Sequence, residues 1–248
     1  MENDLYISCL NEMNSLCLAV TESGSFFALM DKTEKKWRFP LFFAFDVFKG
    51  VPLFAEGIKR LDPVQCSLLS RQLLEQASLS ITLFTRPELI EKFKIFWDER
   101  VLVADMGQNQ KRKALKLFAE KENINENKLL DYLDYGWLRG AGGNNDYGVE
   151  KMMKFAGFEE DFKKWRLFYN KLTHLSITTI NVISKPAEAV ALSNNLTYNV
   201  VAWLDDLCCA MHNATGYSFV IDGVDFFGQF REAFKKATDS RLNGKAAF

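Results

Sequence analysis

Histidine is scarce in this chain, with two in 248 residues, and only five prolines and 14 glycines interrupt it. Side chains that titrate near neutrality are therefore confined to His174 and His212, which limits the search for a general acid or base to two positions. The five cysteines form no C-x-x-C pair and no H-E-x-x-H spacing occurs. A zinc centre is not expected, and an odd cysteine count with an adjacent Cys208 and Cys209 does not make a disulfide framework. No metal and no cofactor are expected. An excess of one charge is missing too: 31 basic and 32 acidic residues leave a formal net charge of −1. Any nucleic-acid partner must then be met by a local patch rather than by the field of the whole molecule.

Long hydrophobic runs are also lacking. The most apolar window, residues 39–48, is broken by Pro40 and Asp46 and is too short to cross a bilayer, so no membrane partner is expected. The first residues are acidic and polar where a secretory signal is basic and then apolar, which points to a cytoplasmic protein.

What the chain does have is an apolar fraction of 48%, enough for a substantial core, with apolar residues recurring at three and four positions. That spacing predicts an all-α fold in one domain over residues 1–248. Helices are expected over about 4–20, 35–61, 63–84, 87–103, 111–122, 128–135, 149–156, 159–183, 187–212 and 223–238, and only 217–221 reads as extended. Asp62 and Pro63 mark one start, as N-cap and first helical residue. Residues 136–148 hold five glycines and read as a loop, either a connector or a lid. They are not a phosphate loop, because Gly143 precedes Asn144 and no strand leads in.

Residues 165–183 carry the first candidate site. At helical spacing Asn170, His174, Thr178 and Asn181 share one side, and Trp165, Phe168, Leu172, Leu175 and Ile183 the other. Such a polar ladder is either a solvated face or the rim of a site. The second candidate lies on the helix after Pro63, which is apolar nearly all round and belongs in the core. Arg71 and Glu75 sit one turn apart on it, so both are expected to be partly buried, pairing either with each other or with the His174 helix.

Arg71-Gln-Leu-Leu-Glu75, the later Trp137, and the helix ending in Asn170-Lys-Leu-Thr-His174 together resemble an uncharacterised bacterial helical family related to HEPN domains. The resemblance covers about residues 42–207. It implies a HEPN-like helical bundle with added N- and C-terminal helices, paired into a homodimer and acting on RNA in stress or phage defence. Metal-independent RNA cleavage in that family uses an arginine, a neighbouring polar residue and a histidine on one helix. Asn170 and His174 match, whereas Tyr169 stands at the arginine position, and Arg166 lies one turn earlier. In that mechanism His174 moves the proton, Asn170 orients the phosphate or the imidazole, and Arg166 or Arg71 supplies the cation that steadies the phosphorane. Lys111, Arg112 and Lys113, with Arg139 from the glycine-rich loop, are the candidate phosphate contacts; otherwise the run is a solvated face. Two further readings stay open: a helical interaction module, and a protein that holds a small molecule or nucleotide between helices beneath the glycine loop.

Overall fold

Asp62 opens the central helix as its sequence predicts. Its carboxylate accepts from the backbone N–H groups of Val64 and Gln65 at 3.1 and 2.9 Å, and Pro63 follows at the first helical position, where its missing N–H costs nothing. The computed structural model describes residues 2–32, 34–60, 62–104, 106–124, 129–163, 166 and 185–245. Among them the chain is predominantly helical, with one two-stranded sheet. The helices are α1 (Glu2–Glu22), α2 (Gly24–Lys32), α3 (Arg38–Lys59), α4 (Pro63–Thr85), α5 (Ile90–Ala104), α6 (Gln108–Glu122), α7 (Leu129–Tyr135), α8 (Val149–Ala156), α9 (Pro186–Thr215) and α10 (Phe226–Lys245). Strands β1 (Val220–Ile221) and β2 (Val224–Asp225) pair antiparallel just before α10.

Helices α3 and α4 form an antiparallel hairpin that two glycines bring into close contact. A Cβ on Gly50 would meet Leu73 Cδ2 at 2.8 Å, and one on Gly57 would meet Cys66 Sγ at 3.0 Å. The glycines are seven residues apart on α3 and their partners seven apart on α4, so both contacts belong to one register. Helix α4 then packs against α9 and α8 as well, and α1 lies across α3 and α10.

The central position of α4 owes as much to small side chains as to apolar ones. Ser67, Ser70, Ser78, Ser80 and Thr82 are all fully buried. Four of them have partners: Ser70 donates to Ser67 O at 3.0 Å, Ser78 to Met153 Sδ at 3.0 Å, Ser80 to Pro40 O at 2.7 Å and Thr82 to Met152 O at 3.3 Å. A small hydroxyl that finds a carbonyl costs little to bury and lets two backbones approach.

Several predicted bounds shift. Residues 35–61 divide into a 3₁₀ turn (Lys35–Trp37) and α3, and α2 was not anticipated at all. The helix expected from 223 begins at Phe226, because Val224 and Asp225 are taken into β2. The glycine-rich stretch 136–148 is half anchored: 3₁₀ turns span Gly136–Leu138 and Ala141–Gly143, and Trp137 and Leu138 are buried. Most of the helix expected over 159–183, with Tyr169, Asn170 and His174, lies outside the described residues. No helix among the described residues is long and apolar enough to cross a membrane.

Candidate functional site

Two helical stripes face one another across an open cleft of about 350 Å³. Helix α4 contributes Gln72, Glu75, Gln76 and Leu79, spaced at i, i+3, i+4 and i+7, and α5 contributes Phe93, Trp97 and Arg100 at i, i+4 and i+7. Asp134, Tyr135 and Trp137 close one end, while Phe43 of α3 and Met152 of α8 complete the wall. The aromatic rings brace each other edge-on or at a tilt: Phe93 lies 5.2 Å from Trp137 and 6.0 Å from Trp97, and Phe43 lies 5.4 Å from Trp97. Trp137 is held in place by its indole N–H, which donates to Asp134 O at 3.0 Å.

Charges around the cleft are already matched. Glu75 meets Arg71 at 3.2 Å, and Asp134 meets Arg100 at 2.9 Å. Burial, and then the nearby Glu75 and Asp134, push the Tyr135 phenol up to about 12 despite the opposing Arg100 and Arg71. Tyr135 therefore remains a neutral O–H donor throughout the physiological range.

The Arg71 and Glu75 side chains pair with each other, one of the two arrangements expected, at the margin of the core rather than inside it. They are 47% and 36% exposed and form an ordinary i, i+4 pair on the open side of α4. The buried sides of α4 are those facing α3, α8 and α9, and the pair lies between them. Glu75 nonetheless belongs to the cleft lining. Arg166 is exposed and paired with Glu150 of α8. Lys111 and Lys113 lie on α6, where Lys111 lines a shallow depression with Gln108, Asn109 and Leu115; Arg112 is on the same helix. Arg139 is not beside them. It lies near Tyr132, whose hydroxyl donates at 2.9 Å to Glu122, about 16 Å along the axis of α6 from Lys111. His212 occupies the last turn of α9, at the negative end of the helix dipole, with Nδ1 2.8 Å from Tyr217 O.

All five cysteines are free, and burial raises their thiol pKa values, to about 12 for Cys9 and Cys66, which leaves them in the unreactive thiol form. Among the described residues no group of three or more His, Cys, Asp or Glu is placed to hold a metal ion.

The sequence reading missed Gln72, Gln76, Trp97, Arg100, Asp134 and Tyr135. The polar stripe of α4 was the available signal, since Gln72, Glu75 and Gln76 recur at helical spacing on a helix otherwise suited to the core. No protein-family model, curated protein or solved structure matches the chain, so the likeness to HEPN domains rests on its short motifs alone.

Proposed function

We propose that this protein binds a small, flat, uncharged heteroaromatic molecule in the cleft between α4 and α5. One observation carries the reading: two facing helical stripes leave an open space walled by rings and amides, in which the acidic groups already have guanidinium partners. A charged ligand would have to displace one of those pairs. A neutral ring system gains stacking against the half-buried Trp97, and its polar edges meet Gln72, Gln76 and the Tyr135 hydroxyl, each able to fix orientation. The volume suits a ligand of nucleoside or indole size. The lining has no histidine, serine or cysteine, so the cleft is read as a site of binding rather than of covalent catalysis. The expectation of RNA cleavage rests on Tyr169, Asn170 and His174, and the cleft needs none of them.

Tryptophan fluorescence tests the reading, because Trp97 and Trp137 stand in the wall. A panel of purine and pyrimidine nucleosides and indoles should include a ligand that changes emission saturably. Gln76→Leu should weaken that ligand tenfold or more, about 1.4 kcal/mol. No saturable response to any member, or a response untouched by Gln76→Leu, rejects the cleft as the site.

A further inference from the structure

Four half-buried cations from four separate segments lie around the glycine-rich loop in two neighbouring pairs: Arg86 at the end of α4 and Lys151 in the first turn of α8 share the Phe155 ring, and Lys92 in the first turn of α5 reaches Arg139 after the Trp137 turn. Such an arrangement is costly for a protein with nothing bound there. Burial lowers the pKa of Lys92, with Arg139 adding to it against Glu122. Burial likewise lowers that of Lys151, with Lys92 and Arg86 adding to it against Asp146. Both lysines also sit at the positive ends of their helices, where a cation is disfavoured and an anion favoured.

Their hydrogen bonds go to neutral oxygens. Lys92 Nζ donates to Arg139 O at 2.5 Å, and Lys151 Nζ donates to Asn144 Oδ1 at 2.6 Å and Asp146 O at 2.9 Å. Among the described residues no carboxylate comes within 4 Å of Lys92, Arg139 or Lys151; Glu88 stands 3.6 Å from Arg86. The Arg86 guanidinium lies 4.2 Å from the centre of the Phe155 ring, which fixes its plane. The loop itself leaves room. Gly140 and Gly143 have φ of 81° and 84°, and a Cβ on either would touch nothing within 4 Å, so glycine serves backbone shape there and the space outside it is open.

We propose that Arg86, Lys92, Arg139 and Lys151 form a phosphate-binding site, taking either a small phosphoester or the backbone of an RNA strand. Phosphate fits better than carboxylate because it brings more charge and more acceptor oxygens to a set of guanidinium and ammonium groups. The site is independent of the proposed cleft ligand.

The test uses the full chain. Melting in inorganic phosphate is compared with melting in chloride at matched ionic strength, and a short unstructured RNA is titrated in parallel. Phosphate should raise Tm saturably, and the double variant Lys92→Gln, Lys151→Gln should weaken its apparent affinity tenfold or more, each protein being referred to its own melting in chloride. Should the double variant fail to fold, Arg139→Gln carries the same expectation. RNA binding that inorganic phosphate competes away assigns the site to a polynucleotide backbone; a phosphate response without RNA binding assigns it to a small phosphoester. Equal melting in the two salts together with no RNA binding, or a phosphate response undiminished in the folded variants, overturns the proposal.

Discussion

Two clusters of aromatic rings in this molecule use the same packing geometry to opposite ends. The first is sealed: Phe26 and Phe48 meet Tyr217 and Phe219 at ring separations of 6.0 and 6.2 Å, and Phe219 continues to Phe227 at 5.2 Å. Phe26, Phe48, Phe219 and Phe230 are at most 1% exposed. The second, built on Phe43, Phe93, Trp97 and Trp137, has similar separations and buries three of its rings, but leaves Trp97 half-buried beside the stripe of Gln72, Glu75 and Gln76. Ring content therefore does not distinguish core from site. The difference is what stands opposite: α10 adds further rings, Phe227 and Phe230, to the first cluster, whereas α4 turns a polar stripe toward the second.

The largest effect should come from the sealed side. Phe48→Ala is expected to cost about 3–5 kcal/mol in chemical denaturation, as a cavity opens with no route to collapse. Trp97→Ala, from the open cluster, should cost only about 1–2 kcal/mol, because its half-buried ring is already in contact with water, yet it should abolish saturable binding in the cleft. Equal losses for the two variants would erase the distinction between them. Asp62→Ala touches neither cluster and should cost about 1 kcal/mol, the value of one N-cap. Glu75→Ala should cost no more than about 0.3–0.5 kcal/mol, since its partner Arg71 stays hydrated. A loss of several kcal/mol there would restore the buried pair that the sequence suggested.

A pH dependence confined to alkaline solution is expected as well. Below the ordinary phenol value of 10 both folded and unfolded chains hold the Tyr135 proton, and between there and about 12 the unfolded chain alone releases it. Stability should fall with rising pH through that window, and Tyr135→Phe should remove this part of the slope in denaturation curves.

Helix α8 was predicted at the bounds observed, and α4 and α6 within a few residues, because N-cap chemistry and 3.6-residue periodicity are local signals. Helix α2 and strand β2 escaped notice, since short elements at chain junctions carry too few periods to stand out, whereas β1 lies inside the stretch 217–221 that reads as extended. Arg71 and Glu75 are less enclosed than their apolar neighbours along the helix suggest, for another reason. A helix with apolar residues on most sides was read as enclosed on all of them, although α3, α8 and α9 leave one strip of α4 open.

The sequence by itself determined the helical class and the start of the central helix, both of which follow from residue type and spacing along the chain. Only the tertiary structure decided that Gln72 and Gln76 face Trp97 across a cleft, and that Lys92, Arg139 and Lys151 gather while Lys111 and Lys113 lie elsewhere. Periodicity specifies which residues share a face of a helix. Which face meets a neighbour and which meets water is set by how close the helices come, as where Gly50 meets Leu73, and by which strip no partner covers.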